Sequence, residues 1–298
     1  MLKLLRLAAA IPLGLAAVVA LGAGAAGATT IDHHHHHARI CAGTLSKPGL
    51  LAGTYRGDVV VKGVCFVNGG AAVIKGDLII ARGSALNATF ANNDIAGSGK
   101  SSLTVRGDVK VGQSAVLAMG CEPNFNPCSD DPNGTGQNSV RGDVTASHAL
   151  AVIVHSSSIR GDAKVTGGGG GVTCAIPSHG IFNELQSPVF SDFEDNTIRG
   201  DLTMTGLRTC WLGALRNQVG GDLRDDNNKM ADPDANEILT NLIKGDIACF
   251  GNSPVVQYGD SMGSPNKVRH HAFGECGFNV RQPNPSPNGP LTPISIKI

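Results

Sequence analysis

The strongest constraint on the fold of this chain is a short motif that recurs along most of its length. The motif is an aliphatic residue, a basic residue in most copies, Gly-Asp and a second aliphatic residue, as in Val105 to Val109. Gly-Asp occurs nine times, at separations of 19, 31, 35, 19, 39, 21, 24 and 14 residues. The copies begin at Gly57, Gly76, Gly107, Gly142, Gly161, Gly200, Gly221, Gly245 and Gly259. Self-similarity with a unit of about twenty residues, interrupted by insertions, is typical of a solenoid.

Side chains alternate between apolar and polar around each copy, for example from Leu103 to Val111. This period of two predicts a short strand through the motif, with one face buried. Glycine within a strand is unfavourable unless the backbone bends or another segment comes close, so we expect a bend in every repeat. An asparagine recurs four residues before the glycine, and stacked repeats about 4.8 Å apart would align these side chains in a ladder. These asparagines are Asn138, Asn196, Asn217 and Asn241.

The amino-terminal segment predicts export. Lys3 and Arg6 precede a long Ala/Leu/Val run that ends in small residues, which indicates a secretory signal cleaved after Ala28. An uncleaved membrane anchor is the alternative. We therefore divide the chain into a signal peptide (1–28), a His-rich segment (29–40), a repeat domain (41–278) and a Pro-rich tail (279–298). The tract His33 to His37 is either a metal-binding segment or an inert spacer or tag.

Charge and composition exclude some partners. Lys plus Arg and Asp plus Glu both number 24, so the chain has no net field that would attract nucleic acid or an anionic membrane. We predict no nucleic-acid partner and, after signal cleavage, no membrane association. The expected location is secreted or extracellular, including the cell surface.

All eight cysteines follow the signal segment, and an even number in an exported protein predicts disulfides. Eight cysteines allow about 105 pairings, among which the sequence does not choose. We hypothesise sequential pairing, and we expect the bridge from Cys121 to Cys128 first because these residues bracket a turn-rich loop. The candidates are Cys41, Cys65, Cys121, Cys128, Cys174, Cys210, Cys249 and Cys276.

Two insertions between the repeats cluster oxygen ligands of the kind that Ca²⁺ requires, so calcium is the one cofactor that the sequence indicates. Neither cluster fits an EF-hand loop, because the twelfth position from Asp232 is Ile243 rather than glutamate. Solvated acidic loops are the alternative interpretation. The candidate metal ligands are Asp192, Glu194, Asp195, Asp232, Asp234 and Asn236.

No catalytic signature is present in the sequence. It has no Gly-x-Ser-x-Gly elbow, Walker loop or His-Glu-x-x-His motif, and we therefore nominate no catalytic residue. Paired carboxylates such as Asp192 and Asp195, or Asp225 and Asp226, are the kind that glycoside hydrolysis uses, but their spacing alone gives no evidence of that role.

The basic residues of the motif suggest a ligand-binding surface. Arg106, Arg141, Arg160 and Arg199 would form a ladder if their repeats stacked in register, and such a ladder would bind a polyanionic glycan. The alternative, which we favour from the sequence, is that each arginine pairs with a neighbouring aspartate on the outer face, an interaction that contributes little to stability.

The copies from Ile74 to Ile80 and from Ser102 to Val109 resemble coils of right-handed parallel β-helices, and remotely the repeats of bactofilins. The whole chain is similar to exported parallel β-helix proteins of actinobacteria, a group without an assigned activity, for example at Cys210 to Ala214. This resemblance implies an all-β, single-stranded parallel β-helix solenoid, right-handed, of about ten disulfide-stapled coils. Many right-handed β-helices are pectate lyases, in which calcium and a basic residue act on an acidic sugar.

The function predicted from the sequence is a noncatalytic structural or binding protein of the cell surface or extracellular space. Its expected partner is an extracellular glycan or a cell-wall component. The alternative is a calcium-dependent polysaccharide lyase or hydrolase that acts along the β-helix face.

Overall fold

The Gly-Asp copies lie between strands rather than within them. The computed structural model describes residues 38–123, 126–257 and 263–279, and each copy there separates two strands of different ladders. One strand ends at Ile74, for example, and the next begins at Leu78. The predicted bend at the glycine is confirmed, whereas a continuous strand through the motif was wrong. The predicted signal peptide, the tract His33 to His37, the copy at Gly259 and the tail from residue 280 lie outside the described residues.

The described residues form short strands and two short helices. The strands are β1 (Arg39–Gly43), β2 (Gly49–Leu50), β3 (Gly53–Tyr55), β4 (Val59–Phe66), β5 (Ala71–Ile74), β6 (Leu78–Ile80), β7 (Ala85–Ala88), β8 (Ser102–Val105), β9 (Val109–Val111), β10 (Val116–Met119), β11 (Ser139–Val140), β12 (Val144–Ser147), β13 (Ala151–His155), β14 (Ser158–Ile159), β15 (Ala163–Thr166), β16 (Phe190–Glu194), β17 (Thr197–Ile198), β18 (Leu202–Thr205), β19 (Arg208–Thr209), β20 (Trp211–Leu215), β21 (Gln218–Val219), β22 (Leu223–Asp226), β23 (Lys229–Met230), β24 (Glu237–Leu239), β25 (Leu242–Ile243), β26 (Ile247–Phe250), β27 (Lys267–Val268) and β28 (Ala272–Gly274). The helices are α1 (Ile181–Glu184) and α2 (Glu275–Asn279).

Most strands belong to one of three ladders in which every pairing is parallel. The first ladder is β1-β4-β6-β9-β12-β15-β18-β22-β26-β28. The second is β2-β4-β7-β10-β13-β16-β20-β24. The third is β3-β5-β8-β11-β14-β17-β21-β25-β27. The first two share β4 and so form a 17-stranded sheet, and β19 pairs with β23. The all-β prediction with long parallel sheets is confirmed.

Pairing brings the same motif position of successive repeats together, whatever the length of chain between them. Val109 pairs with Val144, which pairs with Ala163, which in turn pairs with Leu202. Additional residues therefore lie outside the ladders, mainly in an insertion at 120–138, which precedes β11, and another at 167–189, which contains α1.

The aspartates of the motif hold neighbouring repeats together. The Oδ1 atom of each accepts a hydrogen bond from the backbone N–H that occupies the same position one repeat later, at 2.8–3.1 Å. The series runs through Asp58, Asp77, Asp108, Asp143, Asp162, Asp201, Asp222 and Asp246, and it ends at the backbone of His271.

These aspartates explain the glycines. A Cβ atom placed on Gly161 would lie 1.9 Å from Oδ1 of Asp143, and the other internal copies give similar distances. The φ angle of Gly161 is not in the left-handed region, so the residue is required for space rather than for its backbone conformation. Glycine thus recurs because the aspartate of the preceding repeat occupies the side-chain position.

The predicted asparagine ladder is confirmed in its main run. The backbone N–H of Asn196 donates to Oδ1 of Asn217, that of Asn217 to Asn241, and that of Asn241 to Asn266, at 2.9–3.1 Å. Asn138 lies at the equivalent position of an earlier repeat, where its Oδ1 accepts from the backbone of Leu103. A second ladder through Asn228, Asn252 and Glu275 was not predicted, although Asn228 and Asn252 each lie seven residues after the glycine of a Gly-Asp copy.

Inward-pointing aliphatic residues of the three ladders form one buried core. Four disulfides join Cys41 to Cys65, Cys121 to Cys128, Cys174 to Cys210, and Cys249 to Cys276, so the hypothesis of sequential pairing is confirmed. The outer face of the second ladder is covered as well, where Phe182 of α1 packs against Phe190 with ring centroids 6.1 Å apart. Of the helices in the described part of the chain, neither has the length and apolar character needed to cross a bilayer.

One acidic residue, Asp225 on β22, points into the core and is fully buried. Burial raises the pKa of its carboxyl group to about 7, the nearby Glu275 and Asp226 act in the same direction, and hydrogen bonds from Asn236 and Asn228 oppose them. The folded protein therefore holds a proton at Asp225 over a pH range in which an unfolded chain would have lost it.

We expect Gly161→Ala to lower the free energy of unfolding by about 1–3 kcal/mol, because the new methyl group overlaps Oδ1 of Asp143. Denaturant titration of Gly161→Ala, Asp143→Ala and the double variant measures the coupling between the two positions. The cost of the glycine substitution should be smaller when Asp143 is already alanine. Strictly additive losses would contradict this explanation of the motif.

We expect Asp225→Asn to flatten the dependence of stability on pH. The folded pKa of about 7 exceeds the unfolded value of 3.8, so this residue's contribution is complete below 3.8 and is lost as pH rises to about 7. Asparagine mimics the protonated form, and the variant should be more stable than the parent at pH 8 by on the order of 2–4 kcal/mol. Thermal unfolding from pH 4 to 8 tests this, with Glu184→Gln, a change at an exposed carboxyl group, as the control. Parallel pH profiles for the parent and Asp225→Asn would refute it.

Candidate functional site

The basic residues of the motif form a continuous column on the surface. The backbone N–H at this position donates to the preceding repeat throughout the third ladder, as from Arg141 to Val105 and from Arg160 to Val140. The side chains are exposed, and the position is basic in every described repeat except at Gly220. We call this set the basic column: Arg56, Lys75, Arg106, Arg141, Arg160, Arg199, Lys244 and Arg269.

The positive charges of the basic column form no ion pairs with the described carboxylates. Within residues 38–123, 126–257 and 263–277, no carboxylate oxygen lies within 4.0 Å of a side-chain nitrogen of the column. The neighbouring aspartates are held at the bend by the backbone N–H groups of the next repeat, whereas the longer basic side chains extend into solvent. The alternative interpretation, in which each arginine pairs with an aspartate beside it, was therefore wrong.

A second column of hydroxyl and amide groups runs beside the first. It occupies the outward position two residues before the basic one, because side chains of a strand alternate between its faces. Thr104 and Ser139 are half-buried, with Ser139 Oγ 3.3 Å from Thr104 Oγ1, and the next three positions are exposed. This polar column comprises Thr104, Ser139, Ser158, Thr197 and Gln218.

The polar column opens into a groove of about 800 Å³ at the bend between the second and third ladders. One wall comes from the insertion at 120–138, and the opposite side comes from the residue that follows each second-ladder strand. That residue has a left-handed backbone in consecutive repeats, with φ of 45° at Ser156, 54° at Asp195 and 58° at Arg216. The groove is lined by Glu122, Pro123, Thr135, Gln137, Asn138, Ser139, Ser156, Ser157, Ser158, Asp195, Thr197 and Arg216.

Arg216 fixes the acidic side of the groove. Its Nε lies 2.8 Å from Oδ2 and 3.0 Å from Oδ1 of Asp195, and its Nη2 lies 2.6 Å from Oε2 of Glu194. Burial alone would lower the pKa of Arg216, but the two carboxylates outweigh it and raise the pKa above its usual value. Arg216 is therefore a fixed cation that holds Asp195 at the groove and Glu194 behind it.

Glu122 faces Asp195 across the groove. Its Oε2 accepts a hydrogen bond of 2.6 Å from Ser156, and its carboxyl group also lies within hydrogen-bonding range of Asp195. Burial and the adjacent Asp195 raise the pKa of Glu122 to about 7, while the bond from Ser156 opposes them. The groove thus pairs a carboxyl group that binds a proton near neutral pH with a carboxylate held by arginine.

A buried cluster lies directly behind the groove on the covered face of the second ladder. His155 on β13 is paired in register with Glu194 on β16, and Asp192 lies two residues before Glu194 on the same face. The three side chains are almost completely buried, and one potential metal ligand atom from each lies within 4.8 Å of the others.

The charged groups of this cluster shift one another's pKa values. Burial alone would lower the pKa of His155, but Asp192, Glu194 and Glu122 outweigh it and raise the pKa to about 9. Burial raises the pKa of Glu194, with Asp192 acting in the same direction, and the cations His155 and Arg216 oppose the shift. The cluster therefore combines one imidazole with two buried carboxyl groups.

The two groups of ligands expected from the sequence have different surroundings. Asp192 and Glu194 lie together in the buried cluster, while Asp195 faces the groove and binds Arg216. In the other loop, Oδ1 of Asp232 accepts a hydrogen bond from the backbone of Asp234, and Asn236 Nδ2 donates to the carbonyl of Pro254. Asp232 also lies near Cys174 and Cys210, but these sulfurs form a disulfide.

Sequence reasoning missed His155, Glu122 and Arg216 as members of one site. The pairing of β13 with β16 brings His155 and Glu194 together across the insertion at 167–189, and each lies six residues before the glycine of a Gly-Asp copy. Arg216 lies at the equivalent position of the repeat after Asp195, and alignment of the repeats on Gly-Asp places them 21 residues apart, one repeat length. That alignment was the one signal in the sequence that could have joined them.

No protein-family model matches the chain, and searches of curated proteins and of solved structures find no similar protein.

Proposed function

We propose that this chain is a parallel β-helix protein of the extracellular space that binds an acidic polysaccharide without cleaving it, through the basic column and the polar column beside it. The observation that carries the proposal is the in-register array of exposed basic side chains, which form no ion pair with any carboxylate in the described part of the chain.

The spacing of the charges supports an extended polyanion as ligand. Successive positions of the column are one strand apart, about 4.8 Å, so the nine positions from Arg56 to Arg269 span about 38 Å. A linear chain with an acidic group on most of its sugars would meet several column positions at once. Arginine is well suited to carboxylate and sulfate groups because its planar fork can donate two parallel hydrogen bonds.

The neighbouring surface favours a sugar over a nucleic acid. The polar column and the groove offer hydroxyl, amide and carboxyl groups, which pair with sugar hydroxyls, and none of the described residues that line the groove is aromatic. Proteins that bind single-stranded nucleic acids stack bases on aromatic residues.

The β-helix architecture and the location are parts of this proposal. Three parallel ladders, in which each repeat pairs with the next along the chain, are the arrangement that a β-helix requires. Four disulfides indicate an oxidising environment, as found outside the cell. The right-handedness of the β-helix, the cleaved signal peptide and the link to the cell surface stay predictions from the sequence.

We expect the triple variant Arg141→Gln, Arg160→Gln, Arg199→Gln to bind polygalacturonate at least about tenfold more weakly than the parent. Each exposed charge contact contributes up to about 1 kcal/mol, and 1.4 kcal/mol corresponds to a tenfold change. Titration calorimetry at several salt concentrations measures the loss, and the salt dependence should also become less steep because fewer counterions are released.

The matched control removes three exposed basic residues from elsewhere, as Arg82→Gln, Lys164→Gln, Arg208→Gln, and should keep the parental affinity. Sulfated and neutral polysaccharides and single-stranded DNA of similar length complete the panel. Equal losses of affinity in both triple variants would show that the effect depends only on the net charge of the protein. Tighter binding of DNA than of every acidic polysaccharide would replace the proposed ligand class with nucleic acid.

A second candidate function, polysaccharide hydrolysis, is favoured by the carboxyl pair of Glu122 and Asp195 at the groove. One carboxyl group of the pair could act as a general acid, and Arg216 fixes the position of the other. The pair is within hydrogen-bonding range, however, whereas the two carboxyl groups of glycosidases are about 5 Å or more apart. This geometry favours binding over hydrolysis.

We accordingly expect no new reducing ends when the protein is incubated with acidic or neutral polysaccharides, in calcium or in chelator. Reducing-end release by the parent and by Glu122→Gln is the measurement. Release that Glu122→Gln abolishes would establish the second candidate and remove the noncatalytic part of the proposal. Release that persists in this variant would point to a contaminating enzyme, which repeated chromatography would separate from the protein.

A further inference from the structure

The buried cluster of His155, Asp192 and Glu194 carries an inference that does not depend on polysaccharide binding. Its three side chains come from two hydrogen-bonded strands, and β pairing fixes their relative positions. His155 is 2% exposed, Asp192 3% and Glu194 8%, so bulk water does not satisfy these polar groups.

Hydrogen bonding leaves key atoms of the cluster without partners. Within the described residues, neither ring nitrogen of His155 has a hydrogen-bond partner, and the same holds for Oδ1 of Asp192. Buried polar groups in proteins are nearly always satisfied. His155 Nε2 and Asp192 Oδ1 are close together and both lack such a partner, which indicates a missing ligand. Hydrogen bonds do support the cluster from outside, through Arg216 on Oε2 of Glu194.

The short distance between two of these atoms fits shared coordination. His155 Nε2 lies 3.0 Å from Oδ1 of Asp192, yet the pair lacks the alignment of a hydrogen bond. Ligand atoms on one metal ion, each bonded at about 2.0–2.2 Å, are held roughly 3.0–3.5 Å apart. A carboxylate oxygen of Glu194 lies within 4.8 Å of a ligand atom of His155 and of one of Asp192. A small rotation of its side chain would complete a set of three ligands.

We propose that His155, Asp192 and Glu194 bind one divalent transition-metal ion, of the zinc or manganese class, as a structural site. Imidazole with two carboxylates suits these ions, whereas Ca²⁺ prefers six to eight oxygen ligands. The site would revise the calcium expectation for Asp192 and Glu194. Its position between β13 and β16 would tie together two repeats that the insertion at 167–189 separates. Arg216 serves as an outer partner that orients Glu194.

The test must exclude the tract His33 to His37, because His-rich tracts in general bind transition-metal ions. The chain in which these five histidines are replaced by glutamine is therefore the parent for all measurements, produced in an oxidising compartment so that the disulfides form. After dialysis against Zn²⁺ and then against metal-free buffer, elemental analysis should find about one zinc per chain. Chelator should lower Tm, and added Zn²⁺ at about a hundredfold excess over Kd should restore it, a difference of roughly 5–10 °C.

Two variants locate the site. We expect His155→Gln and Asp192→Asn each to weaken zinc binding by at least about tenfold, the low end of what even supporting groups around a metal produce. Asp225→Asn, which alters a fully buried carboxyl group elsewhere in the fold, is the control and should keep the parental stoichiometry. Circular dichroism shows whether each variant is folded.

Three results would overturn the proposal. The first is a folded parent chain that retains neither zinc nor manganese. The second is a Tm that neither chelator nor added metal changes, and this measurement needs no folded variant. The third is unchanged affinity in folded His155→Gln or Asp192→Asn. In any of these cases the cluster would be a buried ion pair, and the polysaccharide-binding proposal would be unaffected.

Discussion

The rest of the structure depends on one repeated hydrogen bond. The backbone N–H of each motif aspartate donates it to the side chain of the aspartate one repeat earlier. It sets the same register whether the repeats are 19 residues apart, as at Asp58 and Asp77, or 39 residues apart, as at Asp162 and Asp201. Because the carboxylate takes the space of a side chain at the next glycine, the two residues recur together. Insertions of any length are then tolerated, since the ladder resumes at the next pair.

A repeated register turns one sequence position into one surface column. Packing does not require a basic residue before the glycine, because Gly220 occupies the same place in the ladder with the same backbone bond. The basic residues at the other described positions therefore need a reason outside the fold. A ligand with repeating negative charge supplies one, and this separates the basic column from the glycines and aspartates, whose identities the backbone explains.

The sequence predicted those features that recur with the motif. The all-β class, the bend at Gly-Asp and the asparagine run from Asn196 to Asn241 all follow from local periodicity, and the sequential disulfides join cysteines close in the chain. The site was predictable only in part, since Asp192 and Glu194 were noticed as oxygen ligands but His155 was not. His155 lies 37 residues before Asp192, and only strand pairing across an insertion brings it there. The change from one ladder to another at each Gly-Asp was missed, because side chains alternate in the same way on both sides of the glycine.

The insertions explain why the exposed basic column and the buried cluster lie on different faces of the repeats. The insertion at 167–189 covers the outer face of the second ladder, where Phe182 packs and the cluster of His155, Asp192 and Glu194 is shielded from water. Electrostatic interactions are stronger in such a place, and unpaired polar atoms are more costly there. The third ladder has no equivalent cover over Ser158, Thr197 and Gln218, and its outer face stays open beside the basic column. The same repeat therefore presents charge to solvent at one bend and buries it behind the next.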